Sequence, residues 1–175
     1  MAARRSASSV ANTMHLRPFT ILAASLAAVA LVACSAGPPT QGEPRDFNTV
    51  CDKANDGHRV AVDGYLRLPD QIQVYKSRSG SDEEKIVVVR LFDSNKFQGT
   101  PIGVNIDFGT GPNTMADIPG EYIFTDDDLQ VHRADGQTAG YGDKVKISGT
   151  VYFPTSLADV EFTCGLNNPL VEAPS

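Results

Sequence analysis

Three residue types in this chain could do chemistry: cysteine, histidine and aspartate. The cysteines are Cys34, Cys51 and Cys164, and a thiol serves as nucleophile, metal ligand or half of a disulfide according to its neighbours. The chain contains no Cys-x-x-Cys, no His-Glu-x-x-His and no Gly-x-Ser-x-Gly, so the familiar spacings of thiol redox, zinc-protease and serine-hydrolase chemistry are missing. Downstream of Cys34 the only histidines are His58 and His132. Neither sits in a motif, and a metal-dependent hydrolase built on them is the most remote reading. Asp126, Asp127 and Asp128 are the weak metal candidates, because calcium takes six to eight oxygen ligands. A calcium loop of the EF-hand kind spaces its carboxylates at alternate positions with a glycine after the third, whereas these three are consecutive and Asp135-Gly136 does not complete the pattern. A solvated loop is the plainer reading, as it is for "SDEEK" at 81–85. No cofactor is expected.

Cys34 is explained by what precedes it. Arg4, Arg5 and Arg17 are the only basic residues ahead of it, no acidic residue occurs before Glu43, and an uncharged stretch runs from Pro18 to Ala33. This is the charge order of a signal peptide, and the stretch is shorter than the roughly 20 apolar residues of a membrane span. Leu31-Val32-Ala33-Cys34 resembles, position for position, the lipobox of bacterial lipoproteins. The resemblance implies a diacylglyceryl group on the Cys34 thiol, cleavage before it, and export to a membrane surface, with a plain secretory signal as the rival. Ser35 is not the aspartate that retains such proteins at an inner membrane, so an outer or a plasma membrane is the implied address. Met14 opens a signal of more typical length and is an alternative start to Met1.

Cleavage at that point divides the chain into a signal (1–33), a Pro- and Gly-rich tether (34–46), a domain (47–169) and a flexible tail (170–175). The mature part keeps all 21 acidic residues and loses three of the 15 basic ones, leaving a net charge near −9. Such a surface repels phosphate backbones, so nucleic acid is not an expected partner. Cys51 and Cys164 remain as an even pair in an exported domain, where a disulfide is favoured over two buried thiols.

The elements that must position these residues have a period of two. In "HRVAVDGYLRLP", Val60, Val62, Gly64, Leu66 and Leu68 share one face; in "KVKISGTVYF", Val145, Ile147, Gly149, Val151 and Phe153 do. "EKIVVVRLFD" is a β-branched run, "PIGVNIDFG" places Ile102, Val104, Ile106 and Phe108 together, and "DVEFTCGL" alternates Val160, Phe162, Cys164 and Leu166, which points Cys164 inward. Five such runs separated by Gly and Pro predict an all-β barrel or sandwich.

"NDGHRVAVDGYL", followed by "YGDKVKISGTV" and "VEFTCGL", resembles the OB-fold, in particular the tRNA-anti-like group, over roughly residues 51–168. The resemblance implies a five-stranded barrel. The segment between the third and fourth strands departs from it, because "GTGPNTMADIPGEYIFTDDDLQVHRADGQTAGYGD" has no helical stripe. An irregular insertion is expected there, with an extra hairpin from "EYIF" and "LQVHR". The oligonucleotide-binding ancestry is not carried over to an acidic, exported chain.

In that fold the ligand face is formed by strands two and three with the adjoining loops. It nominates Tyr75, Lys76 and Arg78 in the first loop and Arg90, Asn105 and Asp107 on the strands, against an ordinary solvated sheet. The expectation is a non-catalytic lipid-anchored envelope protein whose domain binds a protein partner or a glycan. A calcium-binding module is the alternative.

Overall fold

The computed structural model describes residues 38–70, 75–76, 85–118, 124–155 and 162–175, without the side chains at 75, 76, 85 and 86. Cys34, Arg78, the signal segment and most of "EYIF" lie outside the described residues. Five strands form the barrel: β1 (Arg59–Arg67), β2 (Lys85–Phe92), β3 (Ile102–Phe108), β4 (Lys144–Tyr152) and β5 (Gly165–Glu172). β1 pairs antiparallel with β2 and β4, β2 with β3, and β4 with β5. A parallel pairing of β3 with β5, Gly103 opposite Gly165 and Val104 opposite Leu166, closes the ring. The result is a closed, five-stranded OB-like barrel, a form that leaves no long edge exposed.

The alternation drives closure. Val60, Val62 and Leu66 of β1, Val87, Val89 and Leu91 of β2, and Ile102, Val104 and Ile106 of β3 are all buried, as are Val145, Ile147 and Val151 of β4 and Leu166 and Val171 of β5. Burying each such side chain contributes about 1.5–3 kcal/mol before chain entropy is subtracted. Two glycines of the repeated strand motif serve close approach. A Cβ on Gly64 would stand 2.6 Å from Leu91 Cγ, and one on Gly149 2.8 Å from Leu166 Cβ.

The insertion between β3 and β4 is irregular, as expected, and closes one end of the core with Met115, Leu129, Val131 and Ala139. Thr114–Met115 runs beside the end of β3, and Met115 pairs with Val131. The first strand of the expected hairpin, "EYIF", lies largely outside the described residues. Val131–His132 pairs forward with Thr138–Ala139, because Arg133, Asp135 and Gly136 (φ +81°) make the turn.

Three boundaries differ from those expected. The last strand starts at Gly165 and runs to Glu172, passing Pro169 through a bulge between Asn167 and Leu170. Proline is tolerated there because a bulge needs no ladder N–H, and Val171 is buried opposite Ile147. The segment expected as tail is therefore strand through Glu172. At the other end, Glu43–Pro44 lies parallel to Val60–Ala61, since β2 meets β1 only at Tyr65–Arg67 and leaves the first half of that edge open. Arg59 fastens this junction, donating to the carbonyls of Thr40 (2.6 Å), Asn168 (2.9 Å) and Ser148 (3.2 Å), and its burial lowers its pKa from the ordinary value. The C-terminal part of the expected tether is thus seated on the barrel.

A single helical turn, α1 (Phe47–Val50), carries Val50 into the core and delivers Cys51 to Cys164. The two form a disulfide with Cα atoms 5.4 Å apart across 113 residues of chain. This bridge joins the entry of the domain to the start of its last strand.

Candidate functional site

Because Val87, Val89, Leu91 and Ile102, Val104, Ile106 point inward, Val88, Arg90 and Phe92 of β2 and Gly103, Asn105 and Asp107 of β3 point outward. The nominated Arg90, Asn105 and Asp107 therefore share one surface. Tyr75 and Lys76 form a short strand opposite Ile86 and Lys85 at the start of β2.

That surface is not an open sheet face. Arg90 is opposite Gly103, Gly103 is opposite Gly165, and Gly165 is opposite Tyr152. The paired glycines leave a trough, and Phe162 fills it. A Cβ on Gly103 would stand 2.9 Å from three carbons of the Phe162 ring. The Arg90 guanidinium lies 4.8 Å from the centre of that ring, and Tyr152 meets it edge-on at 6.4 Å. The Tyr152 hydroxyl donates to Asn105 Oδ1 (3.1 Å), and Asn105 Nδ2 donates to Asn167 Oδ1 (2.6 Å). Arg90 and Phe162 are each only 8% exposed. Phe162, expected inside the barrel, is thus a roof on its outside. The alternation fails at this point because residues 162–164 precede the strand, and only Cys164 turns into the core.

Arg90 also reaches a second region that the sequence did not reveal. Across the β1–β2 ladder it stands directly opposite Arg67. The loop from β2 to β3 folds Phe97 back over this pair with φ +52°, a left-handed backbone that costs a side-chain-bearing residue about 1–2 kcal/mol. The ring is held edge-on by Phe92 (5.5 Å) and tilted against Tyr141 (4.9 Å), with the Arg67 guanidinium 5.8 Å from its centre. A groove of about 270 Å³ lies beside it, lined by Arg67, Leu68, Asp70, Arg90, Phe97 and Pro101 among others. Arg67 Nη2 is 3.4 Å from Asp70 Oδ1, at the outer limit of a hydrogen bond. Arg67 Nε is shut away from solvent with no acceptor among the described residues. Tyr141, on which the Phe97 ring leans, is 43% exposed, the one large hydrophobic side chain exposed among the described residues. A positive φ at Phe97 and a stack built from a strand end and two loops have no linear signature.

A second cleft, about 290 Å³, lies between Arg45–Phe47 and Asp63, Asp93, Lys144 and Lys146. Its charges are mixed, and Lys144 faces Asp63 at 3.6 Å.

The other nominated groups are placed apart. Asp126–Asp128 forms a single 3₁₀ turn in which the Asp128 carboxylate accepts from the Thr125 backbone N–H (2.6 Å) and hydroxyl (3.2 Å), capping its own turn. His58 immediately precedes β1, and its carbonyl accepts from Val151 N–H. His132 lies in the insertion hairpin. Among the described residues, no group of three or more His, Cys, Asp or Glu is placed to hold a metal.

These features define the class: a small OB-like barrel, stapled by one disulfide, with a self-roofed strand face and a strained aromatic and arginine corner beside it. Comparison with protein-family models, with curated proteins and with solved structures gave no match. The functional reading therefore rests on the residues of this chain.

Proposed function

We propose that this is a non-catalytic, lipid-anchored protein of the bacterial cell envelope whose barrel binds a protein partner. The lipobox-like "LVAC" ending at Cys34 supports the anchor. The two acyl chains of a diacylglyceryl group would hold the protein stably, since each buried methylene contributes about 0.8 kcal/mol. The single observation that carries the binding role is the corner at Phe97. There the chain keeps a bulky aromatic residue at positive φ, sets two arginines opposite each other and leaves Tyr141 exposed. Backbone strain weakens a fold, and a surface that retains it beside an exposed aromatic ring and a buried guanidinium donor without an acceptor among the described residues is best accounted for by a ligand.

The test uses intact cells and the native chain. Mass spectrometry of the mature N-terminus should find a diacylated Cys34, and Cys34→Ala should release the protein from membranes; an unmodified N-terminus at another position contradicts the anchor. Cross-linking followed by affinity capture should recover one envelope protein specifically with the anchored form. Recovery of nothing beyond the background seen with a denatured control contradicts the binding role.

A further inference from the structure

We infer that the groove beside Phe97 takes the carboxylate of an acidic peptide segment whose neighbouring residue is aromatic. The proposal rests on the binding role above and names the chemistry of the partner.

Charge complementarity selects the occupant. The chain as a whole is acidic, yet Arg67 and Arg90 stand directly opposite on the outer face of the β1–β2 ladder and both line the groove. Arg90 donates to the Val88 carbonyl (3.3 Å) and lies over the Phe162 ring, so it lends positive charge to the groove wall without offering an open donor. Arg67 is the receptive one. Its Nε–H is buried without an acceptor among the described residues, and its Nη2 is only loosely held by Asp70 at 3.4 Å. The Nε and Nη2 donors lie on one edge of the guanidinium, the edge that binds a carboxylate through two parallel hydrogen bonds. Asp70, 77% exposed at its side chain, touches Nη2 alone in the free protein, and a carboxylate that takes both donors displaces it.

Size and lining select a peptide over a larger ligand. At about 270 Å³ the groove is below the roughly 300–1,000 Å³ of sites for drug-sized molecules. It suits one side chain. The Phe97 ring and the exposed Tyr141 offer flat apolar surface next to the charge, so a ring adjoining the bound carboxylate would stack there. The strained backbone at Phe97 fixes that ring in place before the ligand arrives, which lowers the ordering cost of binding.

The test is a titration of the ¹⁵N-labelled full chain with acetyl-Gly-Phe-Glu-Gly-amide, with the Gln counterpart of the same peptide as control. Saturable shifts at Phe97, Gly99 and Gly142 with the Glu peptide, weakened about tenfold with the Gln peptide, are expected. Arg67→Gln should abolish them. Arg67→Lys, which keeps the charge and loses the two-point geometry, should weaken them, and Asp70→Asn should strengthen them. Added inorganic phosphate that displaces the Glu peptide at equal concentration would overturn the carboxylate assignment, as would shifts that survive Arg67→Gln in a chain whose melting temperature is unchanged. Capture from intact cells separates the two levels. A partner that is retained by Arg67→Gln while the Glu peptide gives no shifts overturns this groove and leaves the binding role standing. Capture of no partner by the native chain counts against the binding role itself.

Discussion

Two surfaces meet at Arg90 and are built on opposite terms. On the β3–β5 side, Phe162, Tyr152, Asn105 and Asn167 cover a glycine trough and pass hydrogen bonds to one another. On the β1 side, Arg67 faces a second arginine, its Nε lacks an acceptor among the described residues, and Phe97 is held at positive φ. The first surface is what stability requires of an outward face over a parallel seam. The second carries costs that stability does not explain. Both surfaces pack aromatic rings against one another, so composition does not separate them; backbone strain and charge placement do.

The largest effect should come from the disulfide. Replacing Cys51 and Cys164 together by serine frees a loop of 113 residues, for which the chain-entropy model gives a loss on the order of 4–5 kcal/mol. Urea denaturation with and without the pair measures it, and a loss under 1 kcal/mol would remove the bridge from the account. Next comes the contrast itself. Phe162→Ala should cost about 3 kcal/mol, the range for a buried aromatic, whereas Phe97→Gly should cost less than half of that, because relief of the left-handed backbone offsets part of the lost ring contact. Equal losses would break the distinction between a stabilising roof and a strained corner. Gly64→Ala should then cost about 1–3 kcal/mol by forcing Leu91 and the Phe92 carbonyl aside, a loss confined to stability and silent in binding.

The alternation made most of the barrel readable. Val60 to Leu68 and Val145 to Val151 have the expected inward sets, and Gly64 and Gly149 do mark close approach. The disulfide followed from counting cysteines in a domain expected to be exported. What stayed hidden was non-local. Phe162 follows the alternation of Cys164 on paper, but it lies before the strand begins and turns outward onto Gly103. Glu43–Pro44 reads as linker by composition, yet it pairs with an edge that only the closed barrel leaves open. Arg90, Asn105 and Asp107 were correctly sorted to the outer face by parity, while parity has nothing to say about Phe97 and Tyr141, which are brought together from separate loops.

The smallest expected effect is electrostatic. A backbone N–H of Gln137 donated to Asp135, with Arg133 alongside, holds the Asp135 carboxyl below its ordinary pKa, and Arg45 does the same for Glu43. Groups depressed in this way support the folded state above their unfolded pKa and lose that support as pH falls through the folded value. Stability should therefore decline below the ordinary carboxylate range and stay flat above it. In Asp135→Asn the acid decline should become shallower, as read from melting temperature against pH, and a steeper decline would contradict this assignment.

The most direct test of the central claim is photo-cross-linking in intact cells, with the reactive group placed at position 141 in one form and at position 52, beside the disulfide, in another. A discrete adduct from position 141 that position 52 does not give, and that Arg67→Gln removes, is the predicted result. The same adducts from both positions, or an adduct indifferent to Arg67→Gln, would contradict a partner docked at the Phe97 corner.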